Sequence, residues 1–173
     1  MEQKRWDMKK LEDNMPDIVK AIYEVVPNAK ENSDVEVKYY QGMNEVNYVY
    51  SQIFKAEKVH SFVNVNKIKS VMPENIALFS KAIDINKSLE MWEILEDDEK
   101  SREEAEKKGF NSDRYHFKYI PTGRSFHGSD ILIFDNSIAM IQIDLEKPLA
   151  FVLKSTPLAE ALRNIHHTVW EII

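Results

Sequence analysis

The chain contains no cysteine in 173 residues, which excludes disulfides, thiolate metal ligands and a cysteine nucleophile. It has only four glycines, and none forms part of a glycine-rich phosphate loop. No apolar run approaches the roughly 20 residues that cross a bilayer. The first residues, Met1 to Asp7, lack the apolar core of a signal peptide. Positive charge is also in short supply. Lys and Arg total 23 against 29 Asp and Glu, a formal net charge of −6, which disfavours an extended phosphate-binding surface while leaving room for local basic patches. These absences point to a cytoplasmic protein.

What is present suits one soluble α/β domain. Hydrophobic residues make up 43% and charged residues 30%, enough for a sizeable core and too apolar for disorder. Residues 3–26 read as helical. Met8, Leu11, Met15, Ile18, Ile22 and Val25 recur at intervals of three and four, the spacing of a coiled-coil seam, although Pro16 should kink or restart the helix. The same spacing fits a helix packed on its own domain. We take residues 1–27 as an N-terminal linker and dimerisation helix and 28–173 as the main domain.

Within that domain, residues 35–40 alternate as a strand. Gln41-Gly42 then turns into a helix whose Met43, Val46, Tyr50 and Ile53 share a face. Strands are expected at 59–63, 89–95, 114–120, 130–134, 137–143 and 149–153, with a tight hairpin at Asp135-Asn136. Helices are expected at 67–71, from Pro73 to about residue 86, and over the charged stretch 96–108 with an end at Gly109. A last helix, 157–173, is introduced by Ser155-Thr156-Pro157. It carries Leu158, Leu162, Ile165, Val169 and Ile172 at seam spacing. Strands that first alternate with helices and then form a meander predict a mixed sheet flanked by helices on both faces.

The final succession of strand, Asp135-Asn136 turn, strand, strand and helix resembles the catalytic half of the phospholipase D-like fold. In that superfamily the first of these strands carries His-x-Lys-x-x-x-x-Asp. With its aspartate placed on Asp135, Gly128 stands at the histidine and Asp130 at the lysine, so nucleophile and phosphate-binding cation are both absent. From about residue 11 onward the chain is similar to the effector domain of TrmB-type transcriptional regulators. The matching stretches are residues 11–18 (LEDNMPDI), Val37 to Gly42, Lys118 to Pro121, Ile133 to Ala139, and Leu162 to Glu171. Those regulators place a winged helix before a helical linker and a degenerate phospholipase D-like domain. Nothing before residue 11 here could form a helix-turn-helix, so DNA contact is expected only through a module outside this chain.

Candidate site residues follow from the rule that ligands of open α/β sheets gather beyond strand carboxyl ends. It singles out Gln41, Asn44, Asn64 and Ser155, with Arg124 and His127 in the irregular loop over the ancestral site. Asn and Gln beside tyrosines suit a hydroxyl-rich effector such as a sugar, though turns favour the same residues for backbone reasons alone. The remaining histidines, His60, His116, His166 and His167, show no ligand spacing, and adjacent His166 and His167 face different sides of a helix, one to be packed and one exposed. No catalytic residue, metal or cofactor is assigned. The resemblance implies a non-enzymatic regulatory domain that senses an effector, dimerises, or both. In the homodimer Leu11, Met15, Ile18 and Ile22 would contribute. The alternatives are an interaction module without a ligand and a residual phosphodiesterase.

Overall fold

A computed structural model describes residues 35–111, 113–121 and 123–173. The chain divides into two units, Met1–Asp34 and Val35–Ile173, and all described residues belong to the second. The expected linker helix, its seam residues Leu11, Met15, Ile18 and Ile22, and the boundary at residue 27 lie outside the described residues.

The domain follows the order β1 (Glu36–Gln41), α1 (Met43–Ile53), β2 (Lys58–Val63), α2 (Val65–Val71), α3 (Pro73–Ile85), β3 (Glu90–Leu95), α4 (Glu99–Asn111) and β4 (Tyr115–Tyr119). Then come β5 (Ser129–Phe134), β6 (Ser137–Gln142), β7 (Leu149–Lys154) and α5 (Thr156–Ile172). The strands form one mixed sheet in the order β1-β7-β6-β5-β2-β3-β4. β2, β3 and β4 are mutually parallel, and β5, β6, β7 and β1 join antiparallel in turn. β1, β2, β3, β4 and β6 therefore point one way, and β5 and β7 the other.

Alternation along each strand sorts residues between two faces. One face carries Val59, Val63, Met91, Leu95, Leu132, Ala139, Ile141 and Ala150, all buried in the main core with Val46, Val49, Tyr50 and Ile53 of α1 and Phe79 of α3. Each large side chain so enclosed contributes about 1.5–3 kcal/mol. The second face is covered differently. Ile133 and Ile138 pack against Ala159 and Leu162 of α5, which is the helix on that side among the described residues. Mixed α/β architecture with helices on both faces is as the sequence predicts.

Local expectations are corrected at three helices. α2 starts at Val65 rather than Lys67, because the Asn64 side chain accepts from the Lys67 amide at 2.8 Å and caps the helix directly after β2. α4 runs through Gly109 to Asn111, as a single glycine costs a helix only about 1 kcal/mol. It is not purely a solvated helix either, since Ser101, Glu104 and Ala105 are buried. Ser155 stands at the N-cap of α5 as expected, but its hydroxyl makes no capping bond. The seam residues of α5 also divide: Ala159 and His166 are its fully buried positions, while Leu158, Ile165 and Ile172 are 46%, 55% and 78% exposed.

Candidate functional site

The degenerate motif lies where β2 ends and β5 begins, two neighbouring antiparallel strands. β5 turns Asp130, Leu132 and Phe134 to the core face, so Asp130 is a carboxylate with no exposed surface. Burial of a charge is costly unless donors meet it. Here the Tyr50 hydroxyl of α1 donates to Oδ2 at 2.7 Å and the Asn64 amide to Oδ1 at 2.9 Å. Burial, followed by the charge of Asp130, pushes the Tyr50 phenol well above its ordinary range and keeps it a donor. Asn64 is committed twice, by its amide to Asp130 and by its side-chain oxygen to α2.

Gly128, which the resemblance sets at the position of the nucleophile, has φ of 74°. A Cβ added there would meet the Lys67 stem at 3.5 Å. The space that a histidine would fill is thus bordered by a lysine side chain, and the backbone conformation disfavours any L side chain. Next to it His127 also has positive φ, 53°, and is exposed, its amide donating to Ser125 Oγ at 3.0 Å. Glu96, after β3, ties this loop down by accepting from the Ser125 hydroxyl at 2.9 Å and from the Phe126 amide. Arg124 is exposed.

The structure does not gather all the expected residues. Asn64, His127 and the loop bearing Arg124 share one end of the sheet. Gln41, which ends edge strand β1, and Asn44, in the first turn of α1, are exposed at the same end, but β1 is four strand positions from β2 and therefore about 19 Å away. Ser155 is at the opposite end, beside the β5–β6 turn, where its amide donates to Asn136 O at 2.9 Å. β7 is antiparallel to β6, so its carboxyl end faces away from that of β2. Three clefts among the described residues, of about 250, 460 and 370 Å³, are lined by other side chains than Asn64, Gly128 and His127.

The sequence reading missed Tyr50 as the partner of Asp130. The signal was available: a tyrosine on the apolar face of a helix needs an acceptor, and a carboxylate alternating with Leu132 and Phe134 needs donors. Nothing in the sequence pointed to Lys67. Of the adjacent histidines, His166 is 1% exposed, whereas the His167 side chain is 70% exposed, as neighbouring helix positions require. No cluster of three metal-ligating side chains exists among the described residues, and no described helix is long and apolar enough to cross a membrane.

Sheet order and helix placement define a mixed α/β domain with a phospholipase D-like fold, and a buried aspartate, Asp130, lies at the start of its fifth strand. By sequence the chain matches no family model and no curated protein. Among solved structures it is similar to TrmBL2, an archaeal chromatin protein with a novel mode of DNA binding, at 13% identity and a TM-score of 0.55. That match covers 98% of this chain, which spans only 66% of the length of TrmBL2. It is also similar to Nuc, a phospholipase D family member from Salmonella typhimurium, at 13% identity and a TM-score of 0.59, covering 79% of this chain and 95% of that one. NucT from Helicobacter pylori matches at 8% identity and a TM-score of 0.54, covering 79% and 96%. The resemblance to a TrmB-type phospholipase D-like domain is met at the level of the fold.

Proposed function

We propose that the chain is a non-enzymatic regulatory domain of a TrmB-like transcriptional regulator, acting through dimerisation and the sensing of a small effector. The observation that carries this reading is Asp130. A cation is what phosphoryl transfer needs at that position, and the chain instead holds a buried carboxylate bonded to Tyr50 and Asn64. With Gly128 lacking a side chain, neither of these two positions carries the residue that the reaction would use. Hydrolysis of bis(p-nitrophenyl) phosphate should stay at background, and turnover abolished by His127→Ala would overturn the reading. Because the chain carries a net charge of −6, it should bind duplex DNA weakly and without sequence preference in a gel-shift assay at physiological salt.

Dimerisation is supported by apolar surface beside and on α5. Tyr39, Phe151 and Met140 are register neighbours across β1, β7 and β6, each about half exposed, on the face that α5 only partly covers. Leu158, Ile165 and Ile172 form a second exposed stripe, at seven-residue intervals along α5. An exposed apolar patch of this kind marks an association surface, and together with the seam of Leu11, Met15, Ile18 and Ile22 it fits a symmetric pair. A hydroxyl-rich effector would dock at the strand ends against Asn64, Arg124 and His127; Gln41 and Asn44 lie too far along the sheet to share one small ligand. The ligand-free interaction module remains the second reading, favoured by the closed packing around Asp130. Titration with a panel of mono- and disaccharides, followed by calorimetry, separates the two: no saturable heat leaves the interaction module.

A further inference from the structure

On the face opposite the main core, α5 and the amino-terminal halves of β2 and β3 enclose a cleft of about 370 Å³, within the usual range of small-molecule sites. Its walls are flat rings. His60 and Trp92, paired in register on β2 and β3, stack at 5.0 Å and 11°, and His166 and Trp170, one turn apart on α5, stack at 5.9 Å and 23°. His60 meets His166 edge to face at 5.2 Å, which joins the two walls. Burial lowers both histidines to about 4, so at neutral pH they are uncharged aromatic surfaces.

Among the described residues that line this cleft, the Lys and Arg groups are Lys58 and Arg163 and none is acidic, in a chain with six more acids than bases. The Lys58 ammonium lies 5.8 Å from the Trp92 ring centre. Its ion pair with Glu90 is long, 3.9 Å, and both side chains are well exposed. Arg163 is held in place by donating to Asp135 O at 2.7 Å and to Glu160 at 2.5 Å. His167, at the edge, pairs with exposed Glu171 at 3.2 Å. Ring walls with cations at the margin select a planar aromatic body with one negative group.

We propose that this cleft is a binding site for a small planar aromatic anion, one or two fused rings bearing a carboxylate, slotted against Trp92 and Trp170 with its charge toward Lys58 and Arg163. The site is separate from the strand-end surface, so it stands whether or not an effector binds there. 2-Naphthoate serves as the probe and uncharged 2-naphthalenemethanol as its control. Titration of ¹⁵N-labelled protein should shift the indole cross-peaks of Trp92 and Trp170, assigned by Trp→Phe substitution, in a saturable way at or below the millimolar range, roughly the affinity of a ligand this small. The control should bind at least about 10-fold more weakly, and Lys58→Gln with Arg163→Gln should remove most of that difference, since each cation supplies part of the charge selectivity. Lys81→Gln, beside the separate apolar cleft of Leu78 and Ile85, should leave the affinity unchanged. Absence of a saturable shift at these two indoles, equal binding of the acid and the alcohol, or an equal loss in Lys81→Gln would each overturn the proposal. A retained amide spectrum in the double variant shows that it is folded.

Discussion

Replacing Asp130 tests whether the buried carboxylate at the start of β5 is a structural element. In Asp130→Ala the Tyr50 hydroxyl and the Asn64 amide lose an acceptor in a fully enclosed setting. Hydrogen bonds to a charged group are worth about 1.5–3 kcal/mol each, and donors left buried without partners add to the loss. Removing the carboxylate also removes its own desolvation cost, which returns part of this. The expected net loss is about 2–4 kcal/mol. Asp130→Asn keeps an oxygen for the Asn64 amide but offers Tyr50 a donor or a reoriented oxygen, and should lose about half as much. Tyr50→Phe should cost about 1–3 kcal/mol, and the double variant with Asp130→Ala clearly less than the sum, because both remove one shared bond. Urea unfolding followed by circular dichroism reads each value as a shift of midpoint at constant slope. The tyrosine route is also a control on strain, since Phe fills the same volume. If Asp130→Ala were within about 0.5 kcal/mol of the parent, or more stable, as removal of a strained functional carboxylate can be, the structural reading would be refuted.

Three further outcomes are expected. Because His60 and His166 are lowered from about 6.5 to about 4 in the folded chain, protons favour the unfolded state: this stability is complete above about pH 6.5 and is lost as the pH falls toward 4, on the order of 3 kcal/mol for the pair after allowing for partial exposure. Urea midpoints should fall over that interval and fall less in His166→Gln; equal slopes would count against the neutral-histidine description. Lys118 donates to Trp170 O at 2.6 Å and Ile173 O at 2.9 Å, covering the carbonyl end of α5, so Lys118→Met should cost about 1–2 kcal/mol and fray that helix in hydrogen exchange, with unchanged protection refuting the role. Sedimentation should show dimers that Ile18→Glu, Ile22→Glu or Ile165→Glu convert to folded monomers, since a dimer seam would bury an unpaired carboxylate; a monomeric parent at tens of micromolar (roughly where weak interfaces still associate) would exclude the dimer.

What the sequence determined by itself was most of the elements within residues 35–173 and the identities of residues 128 and 130. Residues 130–134 and 137–142 are short apolar runs separated by the turn-forming pair Asp135-Asn136, a local pattern, so the β5–β6 hairpin was readable without neighbours. The absence of histidine at 128 and lysine at 130 is a matter of residue identity once the motif is aligned. Tertiary structure alone decided which loops share an end of the sheet. Strand order and direction depend on pairings between residues as distant as Val59 and Phe134, or Glu36 and Lys154, which no short-range pattern encodes. That is why Gln41 and Ser155, both placed after strands by the same rule, end about four strands and one strand length from Asn64. The Tyr50–Asp130 bond spans 80 residues and the cleft under α5 joins positions 58 to 170, for the same reason: a side chain's partner is set by which surfaces the sheet brings together.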